Sequence, residues 1–139
     1  MNQIMEKLKE LTSDVLCKMF FLIEEAEPIQ KNFVFKYGVC LENNKFSMIL
    51  LFTEKIAYLL TENFLGTEEI SEEDIFDTLK EALNIIAGNF IGLYMKNLSD
   101  KVPVPYAIKN INELKTESYP AKIMFFNENP LKLMFKIKE

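Results

Sequence analysis

The sequence contains no histidine, no tryptophan and no arginine, so all 16 of its basic side chains are lysines. Without histidine, a serine–histidine–aspartate relay, a cysteine–histidine pair and an imidazole metal site are all excluded. Without arginine, no guanidinium group is available to hold a phosphate through two parallel hydrogen bonds. An enzyme with this composition must therefore use carboxylate, amide, hydroxyl or lysine groups, or groups that its substrate supplies.

Cysteines, long apolar runs and clustered positive charges are also scarce. The two cysteines, Cys17 and Cys40, lie far apart in apolar contexts, so we expect two buried free thiols and no metal site. No apolar run approaches the roughly 20 residues that span a bilayer, and residues 1–9 contain no signal-peptide core. We therefore expect no membrane insertion and a cytoplasmic location. The net charge of −5, without a basic stripe, argues against nucleic acid as a partner.

The apolar content is high enough for a real core. It reaches 49% of 139 residues, which suits a single domain, 1–139, that needs no disulfide or metal. The first predicted element is an amphipathic helix that stops between Glu24 and Pro28. Its apolar face consists of Ile4, Leu8, Leu11, Val15, Met19 and Leu22.

A β-hairpin follows this helix. Residues 33–41 and 46–52 are strand-like apolar runs, joined by residues 42–45. Asn43 and Asn44 tolerate the positive φ of a tight turn, so we expect that conformation there.

A short helix and a second hairpin are also predicted. Residues 54–64 form the helix, which ends at Gly66. The second hairpin pairs residues 121–126 with residues 131–137 around a turn at 127–130, which contains asparagine as the first turn does.

The most informative segment is the long helix predicted at residues 75–93. Ser71 stands three residues before Asp74, the spacing of a capping box that starts a helix. At about 100° per residue, polar residues of this helix fall on one stripe opposite its apolar face. The stripe consists of Asp77, Glu81 and Asn84, with Gly88 one turn further along. The apolar face consists of Ile75, Leu79, Leu83, Ile86, Phe90 and Leu93.

The order of elements predicts an internal repeat, with copies at about 1–66 and 71–139. Superposing the two long helices aligns Glu10, Asp14 and Cys17 with Asp77, Glu81 and Asn84. The first copy keeps the acids and loses the amide. The predicted fold class is α+β: a duplicated helix and β-hairpin unit, with the long helices packed on a mainly antiparallel sheet.

These residues resemble the CheC/CheX/FliY family of chemotaxis phosphatases, and within it the CheX branch most. The family's signature is an Asp or Ser, three residues, Glu, two residues and Asn on a helix, followed some twenty residues later by a proline. Asp77, Glu81 and Asn84 match the helical part. Pro103 and Pro105 come slightly earlier than the family spacing, which implies a short deletion or a shifted strand start. We interpret both prolines as the entry to a candidate strand at 106–114.

The resemblance implies hydrolysis of the aspartyl phosphate on a CheY-like receiver domain. Asn84 would orient the attacking water and Glu81 would pair with the receiver's active-site lysine. The magnesium ion is expected on the receiver, and this chain would bring no cofactor of its own. Because Cys17 replaces the amide of the first copy, one site per chain is implied. CheX relatives form homodimers through their β-structure, so a homodimer is also expected, with the strand ending at Glu139 as an unprotected edge.

The surroundings of the stripe suggest a docking surface. The stripe continues into Ile91 and Met95, with Ile85 beside it, so a polar pair has an apolar border as in transient protein contacts. The alternative is that a neighbouring element, for example the first helix, covers these residues. Asp77 is expected to have a supporting role only, with a favourable helix-dipole interaction. Gly88 is unfavourable inside a helix and indicates close approach, either of the partner or of another helix.

Three functional readings are open at this point. The first is the phosphatase, in which Glu81 and Asn84 act on a receiver. The second is a non-catalytic adaptor that binds a receiver or motor component on the same fold, as middle domains of flagellar switch proteins do. The third is a small-ligand module, which the absence of a glycine-rich phosphate loop disfavours. Outside the family context, Glu81 and Asn84 are also consistent with an ordinary solvated stripe.

Overall fold

Three helices lie against one face of a six-stranded antiparallel sheet in the computed structural model, which describes residues 2–28, 32–94, 103–115 and 118–138. The helices are α1 Asn2–Phe20, α2 Glu54–Leu65 and α3 Glu72–Tyr94. The strands are β1 Glu24–Glu25, β2 Phe35–Glu42, β3 Phe46–Thr53, β4 Tyr106–Ala107, β5 Ala121–Phe126 and β6 Asn129–Ile137. A short 3₁₀ helix spans Ile111–Glu113. Within these ranges, none of the helices is long and apolar enough to cross a membrane. The predicted α+β class is confirmed.

The strands follow the order β1-β5-β6-β3-β2-β4 across the sheet. The two predicted hairpins, β2–β3 and β5–β6, lie side by side because β3 pairs with β6, from Phe46 opposite Ile137 to Phe52 opposite Leu131. This arrangement is compatible with the predicted repeat of 1–66 and 71–139, which stays a prediction. The expectation that the last strand supplies a free edge was wrong. Both long edges of β6 are paired, and in the described residues the sheet ends in the two-residue strands β1 and β4.

The ends of α2 and α3 follow their local sequence. Ser71 Oγ accepts from the Asp74 backbone N–H at 3.1 Å, and Asp74 Oδ2 accepts from the Ser71 N–H at 2.9 Å. This reciprocal pair is the predicted capping box, which satisfies two backbone donors. Gly66, at φ 71°, ends α2 in the left-handed conformation, and its N–H donates to the Glu62 carbonyl at 2.8 Å. Both predicted boundaries are confirmed.

The two hairpin turns use different chemistry. In the first turn, Asn43 Oδ1 accepts from the backbone N–H of Lys45 at 2.8 Å and of Phe46 at 3.0 Å. A side chain therefore closes this turn, as asparagine commonly does. Positive φ was predicted for the asparagines here, and neither has it. In the second turn, Asn127 and Glu128 have φ of 50° and 66°, the conformation of a two-residue hairpin loop.

The core has two parts, one on each side of the sheet. Helices and sheet enclose the main part, whose largest fully buried side chains are Phe20, Phe46, Phe52, Phe90, Phe126 and Phe135. Burying each phenylalanine is worth on the order of 2–3 kcal/mol. The smaller part lies on the opposite face, where Ile49 and Met134 pack under Ile111 and Tyr119. Of the strand predicted at 106–114, only the two residues of β4 form. The apolar residues of this segment cover the second face of the sheet instead.

Three residues expected to be buried are exposed. Leu93 is 56% exposed and Met19 is 46% exposed, because both border an open groove between α1 and α3. α1 also ends earlier than predicted. Its last residue is Phe20, and Phe21 after it has the left-handed conformation (φ 59°). Cys17 lies on the exposed side of α1, whereas Cys40 is buried as expected. Burial raises the pKa of the Cys40 thiol, which disfavours its reactive thiolate form.

Candidate functional site

The polar stripe of α3 faces away from the sheet. Asp77, Glu81 and Asn84 are all exposed, while Leu79 and Leu83 on the other side of the helix are fully buried. The alternative of a covering element is therefore wrong for these three side chains. The acids in the first turn of α3 are Glu72, Glu73 and Asp74. Asp77 lies beyond that turn, where the helix dipole acts weakly, so the dipole does not account for it.

An open cleft of about 310 Å³ lies beside the stripe. One wall is α3, and the other is the segment 103–105, which enters β4. The lining residues are Asp77, Lys80, Glu81, Asn84, Pro103, Val104 and Pro105. The two prolines thus precede the strand, as the sequence predicted, and also form the wall that faces the carboxylate and amide. Val104, 83% exposed, stands at the rim.

The proline wall is held in place by the edge of the sheet. β4 pairs with β2, and the Ile108 N–H donates to the Gly38 carbonyl at 2.9 Å. The Tyr106 hydroxyl donates to Glu42 Oε1 at 3.0 Å, and the Lys138 ammonium donates to Glu42 Oε2 at 3.0 Å. These two donors, Lys138 foremost, lower the pKa of Glu42. The neighbouring Cys40 thiol, partial burial and the Glu42 carboxylate raise the pKa of the Tyr106 phenol.

Lys80 belongs to the cleft, and the sequence reasoning missed it. Its Nζ lies 3.5 Å from Asp77 Oδ1, and its side chain is 36% exposed. Its position three residues after Asp77 and four before Asn84 was a usable signal, because residues at these spacings are neighbours on a helix surface.

The apolar border of the stripe is narrower than predicted. Ile85 and Ile91 are half-buried and pack against the main core. Met95 lies outside the described residues. At Gly88, a Cβ built on the backbone meets none of the described atoms within 4 Å. No described helix therefore approaches this glycine closely, and close approach of a partner stays a prediction.

The arrangement suits a macromolecular partner. The cleft is open rather than enclosed, and it presents two carboxylates, an amide and an ammonium along one rim. Among the residues that the structure describes, no group of three or more histidine, cysteine, aspartate or glutamate side chains is arranged to hold a metal ion. A carboxamide offers both a donor and an acceptor, so it can orient a water molecule, and a carboxylate can bind a cation of the partner.

Comparison with known proteins identifies the family and the fold. A family model described as chemotaxis phosphatase CheX matches residues 42–126, more than half of the chain. No protein with a curated description matches the sequence.

Solved structures share the fold over nearly the whole chain. The chemotaxis protein CheX from Desulfovibrio desulfuricans is 21% identical, with a TM-score of 0.71, and the match covers 98% of this chain and 99% of that one. CheX in the CheX–CheY–BeF3–Mg²⁺ complex from Borrelia burgdorferi is 20% identical, with a TM-score of 0.74 and coverage of 96% and 97%. FliM in the FliM–SpeE complex from H. pylori is 9% identical, with a TM-score of 0.61 and coverage of 99% and 85%. At these identities the likeness establishes the fold alone.

Proposed function

Because the chain belongs to the CheX family of chemotaxis phosphatases, we propose that it hydrolyses the aspartyl phosphate of a CheY-like receiver domain. The observation that carries the proposal is the exposure of Glu81 and Asn84 together on the rim of an open cleft. A receiver presents its phosphorylated carboxylate at a protein surface, so the helper residues must also be reachable from outside. The relative from B. burgdorferi, which forms a complex with CheY, supports the choice of partner.

Asn84 positions water in this proposal. Its amide accepts from and donates to the water molecule, placing the oxygen in line with the bond between phosphorus and the aspartyl oxygen. That bond breaks, the receiver's carboxylate leaves, and the oxygen and both protons of the water become part of the inorganic phosphate. The amide takes no proton, which suits a loose transition state in which the nucleophile needs orientation more than activation. Such orientation is worth several kcal/mol.

Glu81 docks the receiver. Its carboxylate lies one turn before Asn84 and pairs with the receiver's active-site lysine, which directs the amide towards the phosphoryl group. The receiver supplies the acyl phosphate, the magnesium ion and the lysine. Asp77, Gly88 and Ile91 border this contact in the proposal, as does Met95. A homodimer and a cytoplasmic location stay predictions.

A non-catalytic adaptor is the second candidate function. The shared fold with FliM of H. pylori favours it, because FliM in that complex is bound to another protein, SpeE. An adaptor would bind its partner through the same exposed face without needing the amide of Asn84.

The decay of a phosphorylated receiver, with magnesium present, separates these two functions. We expect wild type to accelerate decay, and Asn84→Ala to lose the acceleration while still binding. We expect Glu81→Ala to lose both, because it removes the docking carboxylate. Asn89→Ala and Glu10→Ala are matched controls, since each removes an exposed amide or carboxylate at a helix position outside the cleft. Binding by wild type without acceleration would support the adaptor, and neither binding nor acceleration with any cognate receiver would refute the phosphatase.

A further inference from the structure

We propose that Lys80 is a catalytic residue of this site, whose ammonium contacts the phosphoryl group of the docked receiver. The inference rests on the proposed function and adds to it a cation contributed by this chain. Glu81 and Asn84 both act without positive charge, so a cation in the same cleft would have a separate role.

Lys80 is a neighbour of Asn84 on α3. It lines the cleft together with Asn84, four residues further along α3. At this spacing two Cβ atoms are about 5–6 Å apart on the same side of a helix. In the structure the ammonium points back towards Asp77, and a change of rotamer of the four-carbon stem would carry it towards the place where the Asn84 amide would present a water molecule.

Lys80 reduces the net negative charge of the cleft. Asp77 and Glu81 place two carboxylates on the rim that would receive a phosphoryl group. Lys80 is the only cation among the described residues of the lining. With Lys80, the cleft has a formal charge of −1 rather than −2, and repulsion of the phosphoryl oxygens falls accordingly.

Lys80 forms a weak ion pair with Asp77. Lys80 Nζ lies 3.5 Å from Asp77 Oδ1, and the two side chains are 36% and 64% exposed. Exposed pairs at i, i+3 are weak. The ammonium can therefore exchange the Asp77 carboxylate for the more highly charged phosphoryl group when the receiver docks. Before the receiver docks, Asp77 keeps the lysine beside the cleft.

Lys80 makes and breaks no covalent bond in the reaction. Water attacks phosphorus, the aspartyl carboxylate leaves, and the lysine stays protonated throughout. Its charge acts on the three phosphoryl oxygens, which carry the spread charge of a loose transition state. A partly exposed lysine is less preorganised than a buried donor, so its effect on the rate should be smaller than the hundredfold or more of an oxyanion-hole donor.

The test compares Lys80→Gln, Lys80→Arg and Lys18→Gln at saturating concentrations of phosphorylated receiver. Glutamine keeps the helix propensity and removes the charge. Lys18→Gln is the matched control, because Lys18 is also an exposed helix lysine, 3.0 Å from Asp14 Oδ2. We expect Lys80→Gln to lower the maximal rate roughly tenfold, Lys80→Arg to restore most of it, and Lys18→Gln to match wild type.

Binding of the receiver with and without beryllofluoride, which stands in for the phosphoryl group, gives a second readout. We expect Lys80→Gln to weaken binding of the loaded receiver and to leave binding of the unloaded receiver unchanged. If Lys80→Gln has the maximal rate of wild type, or changes KM alone, the proposed role of Lys80 is refuted. The proposed function still stands in that case, as long as wild type accelerates the decay. If wild type itself does not accelerate decay, the proposed function fails and the role of Lys80 falls with it.

Discussion

Replacing Gly88 by alanine tests whether the exposed stripe of α3 is a contact surface. A Cβ at Gly88 would meet none of the described atoms within 4 Å, so nothing in this part of the fold resists the added methyl group. Alanine is better than glycine in a helix interior by about 1 kcal/mol. We therefore expect the free energy of unfolding to rise by about 1 kcal/mol, and the midpoint of thermal unfolding to rise by about 3–5 °C for a chain of this length.

The same methyl group should weaken receiver binding if the partner approaches the helix closely at Gly88. The added methyl group would then occupy space that the partner needs, and it should lower the affinity for the receiver at least about fivefold, which corresponds to about 1 kcal/mol. Gly92→Ala is the matched control, because a Cβ there also meets none of the described atoms within 4 Å, one turn further from Asn84. Circular dichroism on heating measures stability, and titration with beryllofluoride-loaded receiver measures affinity.

The two measurements can contradict the reasoning separately. A Gly88→Ala protein that is more stable and binds as well as wild type would remove Gly88 from the proposed contact. A protein that is less stable than wild type would mean that the space above Gly88 is not open in the folded chain.

Three further predictions concern stability and can be checked by urea unfolding. Gly38→Ala should destabilise the fold by about 1–2 kcal/mol, because its Cβ would lie 2.8 Å from the buried side chain of Leu51; an unchanged midpoint would contradict this. Ser71→Ala should cost about 1 kcal/mol by removing the hydroxyl that caps α3, and Ser71→Thr should cost less. The hydrogen bond from Lys138 lowers the pKa of Glu42, so the folded state favours the carboxylate. The advantage of wild type over Glu42→Gln should thus be present at pH 7 and be lost as the pH falls below about 4.5, and a difference that does not change with pH would refute it.

The site helix could be predicted because its information is local. The capping pair Ser71 and Asp74 lies within four residues, and the apolar period sets which side chains face the sheet. The exposure of Glu81 and Asn84 follows from that period alone. The place of Lys80 follows from the same rule, because it lies three residues after Asp77 and four before Asn84.

The remaining features depend on residues far apart in sequence. The pattern of β6 does not encode which strands lie beside it, so the sheet edge was assigned wrongly. Periodicity identifies the inward side of α1 and α3, but it does not locate where the neighbouring element ends, which is why Met19 and Leu93 were expected to be buried. The proline wall depends on β4 pairing with β2, and two residues of strand leave almost no local signal.

The central pairing of β3 with β6 also governs how the chain reaches its native state. β3 is buried along its whole length, and the strand that covers one of its edges comes much later in the chain. Synthesis therefore produces a complete β2–β3 hairpin with an apolar, hydrogen-bonding edge that must wait for β6. Pairings of such high sequence separation form slowly, since closing a long loop must precede them. During that interval this edge is the place where a nascent chain would associate with another strand or a chaperone, so substitutions in β6 should reduce the yield of soluble protein more than equally destabilising substitutions in α3.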